Sequence, residues 1–156
     1  VATATQAKIS EEQLRAWRAF LRAHSTMLRR IGQDLDEAGL PPLAWYDVLA
    51  TLRDAPEARL RQVDVAERLL LSTSGLSRLL DRIEEAGLVQ RVACPGDRRS
   101  LHLQLTDEGA GMLDRMWRVY ARGIAEDFLP AFGTSPGEIA EAMEAIGESC
   151  DAARGA

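Results

Sequence analysis

The sequence predicts a mainly α-helical protein with one small β-hairpin set among its helices, and three observations predict it. Between Ser72 and Ala86, the apolar residues Leu76, Leu79, Leu80 and Ile83 recur at i, i+3, i+4 and i+7, the spacing of one buried helical face. Directly after Gly87 the period drops to two: Leu88–Val92 and Leu101–Leu105 each read as a short strand, the second alternating cleanly. Between the strands stands Cys94-Pro95-Gly96-Asp97-Arg98-Arg99-Ser100, a loop punctuated by Pro-Gly with two adjacent arginines at its tip. A helix with a short polar outer face, followed by an arginine-tipped hairpin, is the layout of a winged helix-turn-helix. In that layout the helix enters a major groove and the hairpin reaches the neighbouring minor groove.

The flanking elements follow in order. Ser10 before Glu11-Glu12-Gln13 is the start of a helix, with Gln13 placed for a capping box. Its stripe runs Leu14, Trp17, Phe20, Leu21, His24, Leu28, Ile31, Leu35 and stops near Gly39-Leu40-Pro41-Pro42. A helix that long with a sustained apolar stripe points to a partner chain. Leu43–Asp54 is a second helix with Trp45, Val48, Leu49 and Leu52 inward, broken by Ala55-Pro56-Glu57-Ala58. Arg59-Leu60-Arg61 is short enough to be a third strand of the wing sheet. Val63, Ala66, Leu69 and Leu70 mark a short helix from Gln62, and Leu71-Ser72-Thr73 is the tight turn into the organising helix. Thr106 caps a further helix whose acids Asp107 and Glu108 suit its positive end, with a stripe of Met112, Leu113, Met116, Val119, Tyr120 and Ile124 reaching Phe132. A last helix from Pro136 to about Ala152 carries Ile139, Met143, Ile146 and Cys150.

Composition narrows the function classes. Ordinary hydrophobic and charged fractions fit one globular domain over residues 1–156. The apolar runs are too short to span a bilayer and the first residues lack a signal-peptide layout, so a cytoplasmic protein with no membrane contact is expected. Two cysteines, Cys94 and Cys150, make neither a disulfide framework nor a metal site; Cys94 reads as a packing residue and Cys150 as core or dimer interface. The net charge is −5, yet the stretch from Arg59 to Leu105 holds eight arginines against six acids. A mildly basic module therefore sits in an acidic carrier, which focuses binding to nucleic acid on one face. With two histidines, no phosphate-binding glycine loop and no nucleophile–base pair, the expectation is no enzyme, no metal and no cofactor.

The residues from Leu60 to Leu69, the run Leu71–Val89, the Asp97-Arg98-Arg99 triplet and Leu105-Thr106-Asp107-Glu108-Gly109 together resemble the MarR family of bacterial transcription regulators. The similarity is strong over 43–110 and extends to the terminal helices in layout. It implies an intertwined helical homodimer, with 10–40 and 106–153 as the dimerisation region and 43–105 as the winged DNA-binding region. It also implies a pseudopalindromic operator and repression relieved by a small molecule or by oxidation. Oxidation-sensing relatives carry their cysteine near the N-terminus, where this sequence has none.

The DNA-contact candidates are Ser72, Thr73, Ser74, Ser77, Arg78 and Arg82 on the organising helix and Asp97, Arg98 and Arg99 in the wing. Ser74, Ser77 and Arg78 share one outward face; Arg78 can pair with a guanine and Arg82, a turn on, with phosphate. By resemblance, Arg99 is the minor-groove arginine, Arg98 a backbone contact, and Asp97 the residue that holds an arginine or the loop. Resemblance to sensors of aromatic acids also assigns an effector pocket to Arg18 and His24, with Trp17 and Trp45 flanking a ring. Asp47 matches the acid of urate-sensing relatives. The alternative reading is a winged-helix module that binds another protein and no DNA.

Overall fold

The computed structural model describes residues 9–69, 73–94, 97–132 and 135–154. Of the DNA-contact candidates, Ser72 lies outside these, as do the side chains of Thr73, Ser74, Asp97, Arg98 and Arg99.

Helix α1 (Glu11–Glu37) starts at the expected capping box: the Gln13 N–H donates to Ser10 Oγ at 3.2 Å and the Ser10 N–H to Gln13 Oε1 at 2.9 Å. Helix α2 (Leu43–Arg53) leads through one 3₁₀ turn (Pro56–Ala58) into β1 (Arg59–Arg61) and α3 (Gln62–Arg68). Helix α4 (Thr73–Glu85), β2 (Val89–Cys94), β3 (Asp97–Leu105) and α5 (Asp107–Gly123) follow. The sheet order is β1-β3-β2, antiparallel throughout, so the expected third strand is present and the wing closes on it.

Three expectations need correction. Thr73, assigned to the turn, is the first residue of α4. Asp97, Arg98 and Arg99 belong to β3 rather than to a long loop. Pairing by backbone continues past the last alternating apolar residue, and the register slips between Ala93, opposite Leu101, and Cys94, opposite Asp97. In α3, Val63 is 45% exposed while Val65 is fully buried, so the helix turns Val65 and Ala66 inward.

One core binds α2, α3, α4, the sheet and α5 through Val48, Leu49, Leu52, Val65, Leu76, Leu80, Ile83, Leu103 and Leu113. A second, smaller core joins Ile31 and Leu35 of α1 to Met116 of α5. Trp45, Tyr46 and Met112 pack against both. The upper part of the α1 stripe stays open: Trp17 is 55% exposed, and Phe20, Leu21 and His24 are exposed as well.

Residues to Tyr120 form one compact unit and those from Ala121 a second. Within the second, the continuous helix expected to Phe132 gives way to a π segment (Ile124–Phe128) and a 3₁₀ turn (Leu129–Phe132). Pro130 has no N–H to extend an α-helical ladder. Helix α6 (Pro136–Arg154) leaves Met143, Ile146 and Cys150 exposed, so Cys150 is no core residue of the chain itself.

Candidate nucleic-acid interface

Leu76, Leu80 and Ile83 are completely buried and fix the rotation of α4 about its axis. That rotation turns Arg78 and Arg82 to solvent and leaves Ser77 half-buried beside them. The helix stops at Gly87, whose φ of +75° suits glycine; the Gly87 N–H donates to the Glu84 carbonyl at 2.8 Å and the Leu88 N–H to the Ile83 carbonyl at 3.1 Å. The chain therefore leaves α4 in a fixed direction and enters β2 at once.

The joint to α5 is equally tight. Thr106 Oγ accepts from the Gly109 N–H at 3.0 Å and donates to the Gly87 carbonyl at 2.7 Å, while the Thr106 N–H donates to the Leu88 carbonyl at 3.2 Å. Gly109 is buried there: a Cβ at this position would collide with the Leu88 carbonyl oxygen and lie 2.8 Å from Leu105 Cδ1. The Leu-Thr-x-x-Gly pattern thus has a packing cause. The threonine caps α5 and the glycine lets the helix touch the strand backbone.

The module's arginines divide into two sets. Arg59 pairs with Glu57, Arg61 with Asp64 at 2.6 Å, and Arg91 with Asp81 at 2.7 Å and with Glu84. The hydrogen bonds from the Arg61 guanidinium hold the Asp64 carboxyl below the usual carboxylate range. Arg68, Arg78 and Arg82 make no ion pair among the described residues. Counting charge along the sequence included all of these arginines and could not separate the two sets. The backbone of β3 carries Arg98 and Arg99 at the register slip near the wing end.

The effector candidates fall into two groups. Trp17, Arg18 and His24 are exposed on α1, where the Trp17 and Phe20 rings are 5.9 Å apart and those of Phe20 and His24 are 6.3 Å apart. Trp45 is half-buried, packed in the small core with Ile31 and Leu35; its indole Nε1 is buried without a partner among the described residues. Fourteen helical steps separate Trp17 from Ile31, about 21 Å of rise, so a single chain keeps Trp17 and its neighbour Arg18 away from Trp45, while His24 is half that distance along the helix. Asp47 is exposed as a residue, but its carboxyl sits where desolvation raises its pKa. Beside it lies a stack that sequence reasoning missed: the Tyr46 and Tyr120 rings are 4.5 Å apart and nearly parallel, and Trp117 lies 6.0 Å from Tyr120. Desolvation raises both phenol pKa values, and the Asp47 charge adds to the rise at Tyr120. An Arg53–Asp114 pair at 3.1 Å ties α2 to α5 nearby. An open depression of about 630 Å³ lies elsewhere, between Ala86, Leu88 and the first turns of α5, and none of the five effector candidates lines it. No described helix is long and apolar enough to cross a membrane.

Comparison with known proteins places the arrangement. A family model described as MarR family matches residues 38–100. The chain is 42% identical over 73 residues to the HTH-type transcriptional regulator PecS of Dickeya dadantii, a match spanning 46% of this chain and 43% of that protein. It is 31% identical over 128 residues to the uncharacterized HTH-type transcriptional regulator YkoM of Bacillus subtilis, spanning 82% of this chain and 79% of that one. The fold superposes on Sco3205 of Streptomyces coelicolor, a MarR family regulator solved in complex with DNA. The TM-score is 0.83 at 24% identity, covering 94% of this chain and 92% of that chain.

Proposed function

The chain belongs to the MarR family of transcriptional regulators, and on that footing we propose that it works as a homodimer on a pseudopalindromic duplex, as a repressor rather than an enzyme. The observation that carries this reading is the pair Arg78 and Arg82, exposed and unpaired among the described residues on a helix clamped by its own core beside the wing. In our assignment Ser72, Thr73, Ser74, Ser77 and Arg78 enter the major groove and Arg82 meets phosphate. Arg99 occupies the minor groove, Arg98 touches the backbone and Asp97 holds the wing arginines in place. The DNA bound to Sco3205, which shares this fold, supports the assignment. Genomic DNA as target puts the protein in the cytoplasm.

Two features support the dimer, with 10–40 and 106–153 as its contact region. The open stripes Trp17-Phe20-Leu21 and Met143-Ile146 are too apolar to be left in water. Charge complements them locally: the middle of α1, residues 13–33, holds five arginines and no acid, whereas α6 holds Glu138, Glu141, Glu144, Glu148 and Asp151 against Arg154 alone. A two-fold axis then sets the α4 helices about 34 Å apart, one turn of DNA. For the effector we propose a small aromatic acid. Trp17, Arg18 and His24 of one protomer would meet Trp45 and Asp47 of its partner, with Arg18 taking the carboxylate, and ligand would shift the population of α4 spacings.

Selection of duplexes from a random pool, repeated with a panel of aromatic carboxylic acids, tests both parts. A symmetric half-site motif whose retention falls when an acid is added is the expected result; retention of no duplex at physiological salt overturns the DNA assignment. Arg99→Ala should weaken retention of the selected duplex, and unchanged binding would remove Arg99 from the minor groove.

A further inference from the structure

We propose that Arg91 is a positioning residue that fixes the angle between helix α4 and the wing, so that the two elements read DNA as one rigid body. The inference rests on the DNA-reading role above and concerns a residue outside the reading set.

The geometry is that of a clamp. Asp81 and Glu84 stand three residues apart on α4, and both reach one guanidinium on β2. Arg91 Nη2 lies 2.7 Å from Asp81 Oδ1, and Nη1 pairs with Glu84 Oε2. Glu84 also accepts from the Arg91 backbone N–H at 3.2 Å. Strand β2 is therefore tied to the helix by its main chain and its side chain at the same residue. A planar, forked donor can span two carboxylates on one helix in this way, and a lysine ammonium cannot do so with the same rigidity. The Arg91 side chain is 25% exposed, with its donors turned to the helix, whereas Arg78 and Arg82 face solvent.

The lever arm gives the clamp its effect. Cys94, at the end of β2, is three residues beyond Arg91, about 10 Å of strand. A tilt of about 10° at the base moves that end by nearly 2 Å, enough to break a hydrogen bond whose useful range is about half an ångström. Without the clamp, the Gly87 turn and the shared core still join the helix to the base of the hairpin, but the ionic tie that limits their tilt beyond that base is gone.

Clamp and simple electrostatics predict opposite signs for one variant. Asp81 and Glu84 are negative charges on the helix that approaches phosphates, so removing them should tighten binding if charge alone matters. If they serve as anchors for Arg91, the Asp81→Asn, Glu84→Gln double variant should bind the selected duplex more weakly. The test measures affinity for that duplex and for a random-sequence duplex across a salt series, using full-length wild type, Arg91→Ala, the double variant and the triple combination.

The expected result is a loss of roughly tenfold on the selected duplex for Arg91→Ala, in the range of coupling through a packed network, with little loss on random sequence and an unchanged salt slope. The double variant should show a similar loss and the triple variant no more than either. Arg91→Lys should recover only part of the affinity. A salt slope lowered by about one, with equal losses on both duplexes, would make Arg91 a phosphate contact and overturn the inference; so would tighter binding by the double variant. If Arg91→Ala fails to show the wild-type circular-dichroism melt, the double variant, which keeps Arg91, decides alone. Wild type that retains no duplex overturns the DNA-reading role and the inference with it. Wild type that binds while Arg91→Ala matches it on both duplexes overturns the inference alone.

Discussion

At Gly109 a single hydrogen atom decides whether α5 can touch the start of β2. Gly109→Ala forces the Leu88 carbonyl or the helix to move and should cost about 2–3 kcal/mol, the upper range for overpacking. Two residues on, nothing lies within 4 Å of a Cβ built at Gly111. Gly111→Ala should therefore stabilise the same helix by about 0.5–1 kcal/mol through its backbone entropy. Urea unfolding of the two variants side by side checks both signs. Asp47 offers a pH test. Its carboxyl pKa is raised by desolvation, so the folded chain binds that proton more tightly than the unfolded chain. Its contribution to stability is present below the ordinary carboxylate pKa and is lost as pH rises through the raised value. Asp47→Asn should therefore melt higher than wild type at pH 7, with the gap closing as the solution is acidified. Neither residue announces its environment in the sequence. Gly109 looked like part of a motif and Asp47 like an acid at a helix start; the contact and the desolvation exist only once α2, α5 and β2 converge.

For the elements, legibility tracked how much of a segment's pattern is set by burial. Helix α4 was readable because Leu76, Leu80 and Ile83 are all core and Gly87 must take a positive φ. The wing ends were not, because Asp97-Arg98-Arg99-Ser100 has no apolar face to alternate, and within it β3 passes a register irregularity where Asp97 alone has a cross-strand partner, Cys94. In the seven-residue α3, Val63 and Val65 fit a helical period equally well, and packing against α2 and α4 chose Val65. The exposed face of α4 then predicts two different failures. Arg78→Ala should relax discrimination at one base position at a cost of about 1–3 kcal/mol. Arg82→Ala should weaken binding to all sequences alike and lower the salt slope by about one. Filter binding to selected and scrambled duplexes over a salt series separates them; identical behaviour of the two variants would return both to the backbone-contact class.

In the whole molecule, the sequence disclosed long helices with apolar stripes but not which residues stay uncovered in one chain, since a stripe looks the same against a core or a partner. The open Trp17 and Ile146 faces predict that Ile146→Glu yields a monomer by sedimentation and binds a full operator no better than a half-site. The arginine-rich middle of α1 and the acidic α6 predict weaker association of wild type as salt rises. The effector candidates could be named only by residue type, because burial and packing, which part exposed Trp17, Arg18 and His24 from half-buried Trp45, are not written in a stripe. A different consequence comes from the two cores. Trp45, Tyr46 and Met112 are common property, wedged between the large core under α4 and the small one around Ile31, Leu35 and Met116. Interiors packed to crystal density have no slack to absorb a shifted indole or phenol ring. An event that re-seats those three side chains at the small core should therefore disturb the packing beneath α4 as well, because the two halves of this unit share a wall.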